Sequence, residues 1–281
     1  MYNNLYQGSL IDNREKIIAE TIKCNLFSDI LAKLTFVDLP ACEHVLRILM
    51  NMQTLNVIEN RTQFVINKMA AKDIIMDVLV EDEHNKLYEI EIQKADAQID
   101  HARRMLYYSS TIIESHLPKG DKKYKNVPEL FIFYITEKDI WKQGQTCYTV
   151  SKHLNGFDIP YDEGLHMFYI NAEVDDGSAI ANLMKYFKAA DPHDFSQGAL
   201  SKQINYLKTT KEGQSAMCDL SQRLHDEGEA KGRAEGKFEA TLNNLKSVME
   251  SLNMPIDKAM DILKTPPEER QIYKDLLAKG M

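Results

Sequence analysis

Residues 72–93 read KDIIMDVLVEDEHNKLYEIEIQ. Two β-rich runs, 74–80 and 87–93, flank a polar segment, which is the pattern of a β-hairpin. In the second run, alternation places Tyr88, Ile90 and Ile92 on one face and Glu89, Glu91 and Gln93 on the other. In the first run, Asp77 sits among Ile75, Met76, Val78, Leu79 and Val80. A lone carboxylate is costly in such a setting unless it is paired or bound to a metal. A three-residue loop over 83–85, with Asn85 in the left-handed conformation, sets position 77 opposite position 91 and gathers Asp77, Glu91 and Gln93 on one face. A two-residue loop instead sets Asp77 opposite Ile92 and inverts the faces. Two carboxylates opposed across a ladder repel, and the pairing is tolerable mainly with a divalent cation between them. Oxygen donors with room for water and phosphate suit Mg²⁺ or Mn²⁺. The plain alternative is a soluble edge ribbon whose Glu81, Asp82, Glu83, Glu89 and Glu91 simply face water. Asp77 is the residue that this alternative leaves unexplained.

Upstream, over 14–52, apolar residues recur at helical spacing, first Ile17, Ile18, Ile22 and Leu26, later Val45, Leu46, Leu49 and Met50. The spacing predicts two helices interrupted near Pro40. Residues 62–66 add a third strand, completing a meander with the hairpin. Residues 97–117 return to helical periodicity through Met105, Tyr108, Ile112 and Ile113, and stop at LPKGD. Two more strand-like runs follow, ELFIFYIT over 129–136 and LHMFYI over 165–170, separated by a polar loop with Gly144, Gly156 and Pro160. This order of elements describes an α/β fold, a mixed sheet flanked by helices.

From residue 179 onward the pattern is helical. Gly228, Gly232 and Gly236 recur every four residues in a densely charged stretch, so a membrane dimer motif is excluded and a marginal helix or hinge is expected. A helix whose glycine face admits a second copy is the alternative. The tail is broken at Met254-Pro255 and Pro266-Pro267. The expected organisation is a domain over 1–225, a Gly-rich charged helical hinge over 226–240 and a helical tail over 241–281, the tail being the place expected for any homo-oligomer contact. A helix-turn-helix in the tail is disfavoured, because the proline pair interrupts it and basic residues do not gather on one helix.

Composition narrows the partners. A formal net charge of −8 argues against coating nucleic acid by bulk electrostatics, although a cleft can still be locally basic. The longest apolar runs, such as 130–136, fall far short of the roughly 20 residues of a membrane span. The first residues lack a basic leader with an apolar core, so a cytoplasmic protein without membrane partner is expected. Cys24, Cys42, Cys147 and Cys218 stand singly, without zinc-ligand spacing, and read as reduced core residues. His101 and His116 lack partners at metal spacing, and no organic cofactor is expected.

Residues 77–93, DVLVEDEHNKLYEIEIQ, resemble the signature of the PD-(D/E)XK nuclease family transposases, also called recombination-promoting nucleases: an Asp opens one strand, an acidic turn follows, and the next strand ends in a Y-x-I-E-M-Q-like sequence. Ile92 stands for the usual Met. The wider superfamily ends this motif in Lys, whereas this family generally has Gln, as Gln93 is here. PACEHVLRILM over 40–50 resembles the family's first core helix, and Arg104 with Tyr107 and Tyr108 resembles its R-x-R-Y-Y helix, with Leu106 in place of the second Arg. Gly120, Tyr124 and Val127-Pro128 before LFIFYIT look like its G-x-x-Y loop and next strand. The resemblance covers roughly residues 25–225. It implies a restriction-endonuclease-like core with a C-terminal helical extension, and metal-dependent DNA cleavage linked to recombination or mobile elements. Asp77 and Glu91 would hold Mg²⁺ or Mn²⁺, Glu43 would add a ligand, Gln93 would position water, and Lys94, Arg103 and Arg104 would contact phosphate. The competing implication is a nuclease fold with weak or lost activity that binds nucleic acid or protein partners.

Overall fold

The computed structural model describes residues 14–66, 74–93, 99–117, 120 and 124–278. Residues 14–21 are helical, and two further helices follow, α1 (Asp29–Thr35) and α2 (Leu39–Met50). Pro40 lies in the first turn of α2, where its missing N–H is harmless, and the Asp38 carboxylate accepts from Ala41 N at 2.9 Å. The proline therefore opens a helix rather than interrupting one. The chain then builds β1 (Val57–Ile66), β2 (Ile74–Asp82) and β3 (Leu87–Gln93), crosses over through α3 (His101–His116) to β4 (Leu130–Thr136), and adds β5 (Cys147–Thr149) and β6 (Leu165–Asn171).

These strands form one sheet in the order β1-β2-β3-β4-β6-β5. β1, β2 and β3 make the expected antiparallel meander, β4 runs parallel to β3 and β6 parallel to β4, and β5 closes one edge antiparallel to β6. Each face has its own core. Val78, Val80, Tyr88, Ile90, Phe131, Phe133 and Ile170 point toward α1, α2 and the later helices α4 (Ala179–Ala189) and α5 (Gly198–Thr209), meeting Leu31, Val45, Leu46, Phe187 and Ile204. Leu79, Leu87, Leu130, Ile132, Tyr134 and Tyr169 point the other way and are covered by Met105 and Ile112 of α3. Each such buried Leu, Ile or Phe contributes about 1.5–3 kcal/mol over its exposed state. That second, α3-covered face carries the acids of β3.

α6 (Lys211–Leu252) is one continuous helix, so residues 226–240 form no break. The chain divides into two compact units between Ser221 and Gln222. The second unit contains α7 (Ile256–Ile262) and α8 (Pro267–Ala278), and centres on Leu245, Ala259, Met260 and Tyr273. Among the described residues, no helix is long and apolar enough to cross a membrane.

Candidate active site

The hairpin between β2 and β3 determines what meets what. Its loop is Glu83–Asn85, with Asn85 at φ 60°. Asp82, only 4% exposed, fixes it: one carboxylate oxygen accepts from His84 N at 2.8 Å and Lys86 N at 2.9 Å, and the other accepts from Tyr88 Oη at 2.8 Å. The ladder pairs Glu81 with Leu87, Val80 with Tyr88, Leu79 with Glu89 and Val78 with Ile90. One step further along this odd register, Asp77 stands against Glu91. There the Asp77 carboxylate accepts from Ile92 N at 2.8 Å, taking over a backbone donor where the ladder ends.

Both acids are withdrawn from water, Glu91 almost completely and Asp77 in part. Glu91 is 2% exposed, its Oε1 is ion-paired with Arg104, and its Oε2 has no hydrogen-bond partner among the described residues. Burial pushes its pKa up to about 8, the Asp77 charge pushes the same way, and Arg104 opposes both. Burial likewise raises Asp77 to about 6, against the Ile92 hydrogen bond. Glu89, two residues before Glu91 on the same face, is 0% exposed, and neither of its oxygens has a partner among the described residues. Burial first, then the neighbouring Glu91 and Asp77 charges, hold it well above the usual carboxylate range. Burial so complete favours the neutral carboxyl over the carboxylate.

The helix α3 supplies the counter-charge. Asp100 caps it by accepting from Arg103 N at 3.0 Å, which sets its first turn over the sheet. Arg104 donates through Nη1 to Gln93 Oε1 at 3.0 Å, and through Nη2 to Glu91 Oε1 and to Tyr108 Oη at 3.1 Å. The Tyr108 ring lies 5.1 Å from the guanidinium carbon. Next along the sheet Glu91 pairs with Tyr134, whose Oη lies 2.7 Å from His101 Nδ1, and Tyr134 pairs with Tyr169. On the other side of Asp77, a cleft is lined by Ser28, Asp29, Lys33, Asp77 and Ile92.

Asp77, Glu91, Gln93 and Arg104 thus converge, and Glu43 does not join them. Glu43 pairs with Arg47 at 2.7 Å and accepts from Val57 N at 3.1 Å. Val57 pairs with Asp82, five residues along β2 from Asp77 and so about 17 Å away at strand rise. Glu43 thus serves the hairpin end of the sheet, and the acid of the N-terminal helices that faces Asp77 is Asp29. Arg103 points to solvent, its side chain 88% exposed and paired with Asp100 at 3.3 Å. Lys94 lies outside the described residues. Sequence reasoning missed Glu89, Asp29, Lys33, His101 and Tyr134. Only the shared face of Glu89, Glu91 and Gln93 offered a signal for any of them.

The donor set has the chemistry of a hard divalent cation: two carboxylates, a further acid on the same face, and an orphaned buried oxygen on Glu91. One or two carboxylates plus water and substrate phosphate suffice for Mg²⁺. Among the described residues no group of three or more His, Cys, Asp or Glu side chains is arranged to hold a metal, and Arg104 holds the remaining Glu91 oxygen. The mixed sheet, with its Asp and Glu facing each other across neighbouring strands and a Gln closing the motif, defines a restriction-endonuclease-like α/β protein. Residues 43–225 match the family model of the PD-(D/E)XK nuclease family transposases, and the chain belongs to that family. No curated protein matches the chain.

Proposed function

We propose that the chain is a divalent-metal-dependent endonuclease that hydrolyses phosphodiester bonds in DNA and serves recombination or a mobile element. The observation that carries this reading is Asp77 held opposite Glu91 by an odd-register hairpin, with Gln93 next on the same face. Asp77 and Glu91 would hold Mg²⁺ or Mn²⁺. Such an ion supplies Lewis-acid polarisation of the phosphodiester and acidifies water. The remaining work falls to the chain. The Asp77 hydrogen bond from Ile92 N aims one carboxylate, Gln93 orients the attacking water through its amide, and the α3 cover keeps Glu91 from bulk solvent so that its charge acts at low dielectric. A cytoplasmic setting and self-association through the C-terminal helices complete the proposal.

Purified protein is expected to nick or linearise plasmid with Mg²⁺ or Mn²⁺ and to lose this with EDTA. Asp77→Ala and Glu91→Ala are each expected to abolish cutting while circular dichroism stays native. Undiminished cutting by the double variant means the site lies elsewhere. The Arg104–Glu91 ion pair favours a second reading, a nuclease fold that binds DNA without cutting it. Salt-sensitive DNA binding with no calorimetric uptake of Mn²⁺ would select that one.

A further inference from the structure

Gln93 is neutral, yet a site that gathers two carboxylates and a phosphodiester needs fixed positive charge beside it. Arg104 is the cation placed to give it. Three of its five donor positions are committed to Glu91, Gln93 and Tyr108, its side chain is 25% exposed, and its buried Nε has no partner among the described residues. A guanidinium so engaged inside the protein is not laid out as a surface phosphate contact. A guanidinium has donors only, so it also decides how Gln93 stands: the amide oxygen faces Arg104, and the amide nitrogen faces the opposite way, as a donor. Lys33, in the cleft beyond Asp77, is the other described cation near these acids, but Arg104 alone touches both Glu91 and Gln93 among the described residues.

We propose that Arg104 is a positioning residue that supplies from α3 the permanent positive charge Gln93 cannot, and that it locks Gln93 with its amide nitrogen presented as a donor to water or phosphate. This rests on the function proposed above. A guanidinium does not lose its proton in proteins, so the charge is constant across the working pH range. In the metal-free protein it stands beside Glu91 as the counter-charge of the site. During cleavage the same charge sits next to the oxygens on which negative charge develops, and a preorganised cation there acts without reorganising.

The test moves the charge from helix to strand in the full chain, comparing wild type, Arg104→Gln, Arg104→Lys and the double variant Arg104→Gln/Gln93→Lys. The readouts are plasmid nicking in Mn²⁺ and Mn²⁺ affinity by calorimetry. Arg104→Gln is expected to nick about a hundredfold more slowly, in the range for loss of one preorganised donor. Its Mn²⁺ affinity is expected to rise several-fold, because a cation has left the carboxylates. A merely structural arginine predicts the reverse, weaker metal binding. Arg104→Lys keeps the charge without the fork, and is expected to retain wild-type Mn²⁺ affinity with intermediate nicking; it carries the test if Arg104→Gln does not fold. The double variant is expected to recover nicking to within about tenfold of wild type and to return Mn²⁺ affinity toward it. Wild-type nicking by Arg104→Gln, or a double variant no better than Arg104→Gln, overturns the inference while leaving the nuclease reading intact. A wild-type protein that neither binds Mn²⁺ nor nicks DNA overturns the nuclease reading, and the inference with it.

Discussion

Asp77, Glu89 and Glu91 share one arginine, and the imbalance has a measurable sign. Asp77 and Glu91 hold protons in the folded state, up to about pH 6 and about pH 8, that an unfolded carboxylate releases near pH 4. Between those limits the folded protein binds more protons than the unfolded one, so its stability falls as pH rises. In EDTA the melting temperature is therefore expected to drop between pH 5.5 and pH 8.5, and added Mn²⁺ should flatten or reverse that slope. A metal-free melting temperature that climbs over this interval would contradict the site's electrostatics. Glu89→Gln replaces an acid whose pKa burial raises by its neutral isostere, so its melting temperature should gain on that of wild type as pH rises from 5 to 8.5. Asp77 was legible in the sequence because an acid flanked by Ile, Met, Val and Leu is anomalous. Glu89 was not, because alternation tells which face a residue takes and not whether that face is covered; only α3 shows that it is.

Elements bring these residues together, and the hairpin is the decisive one. Asp82 accepts three hydrogen bonds at the turn from a buried position, so Asp82→Ala should cost about 2–4 kcal/mol in urea unfolding. It should also lower cutting although Asp82 is far from Asp77. An Asp82→Ala protein as stable and active as wild type would remove the turn from the account. Asn85→Gly should be tolerated and Asn85→Val should cost about 1–3 kcal/mol, as expected for a β-branched residue at positive φ. Five of the six strands were readable because long runs of β-branched and aromatic residues announce them. β5 was hidden because three residues, Cys147–Thr149, are too few to show a period. Glu43 misled because a helix can present an acid to either end of a sheet, and only the pairing of Val57 with Asp82 reveals which end it serves.

At the scale of the molecule, two separate hydrophobic cores on opposite faces of one sheet hold the catalytic candidate, and a third, small core belongs to the C-terminal unit. The Phe238 and Tyr273 rings stack at 4.8 Å in that third core. Tyr273→Ala should cost about 3–5 kcal/mol, as truncation of a buried aromatic does. The loss should register as faster hydrogen exchange within 222–281, with β2, β3 and α3 unchanged. Exchange that quickens equally in the sheet would show that the units do not fold separately. Fold class was legible at this scale because the order of helices and strands admits few sheets, and the nuclease-like signature because residues 77–93 and their flanking motifs resemble the family's; the continuity of α6 through three spaced glycines was not, since each glycine weakens a helix taken alone.

The Asp82 turn makes loop length a matter of parity. A strand offers its side chains alternately to two sides, so the acids reach α3 only while the number of residues between Asp82 and Lys86 is odd. Lengthening this loop by two preserves the arrangement whatever the inserted residues are. Lengthening it by one sends Glu89 and Glu91 into the oily layer beneath α2 and α4 and lifts Tyr88 and Ile90 out of it, unless a bulge restores the count. A surface loop is thereby as intolerant of a single inserted residue as the strand that carries the acids.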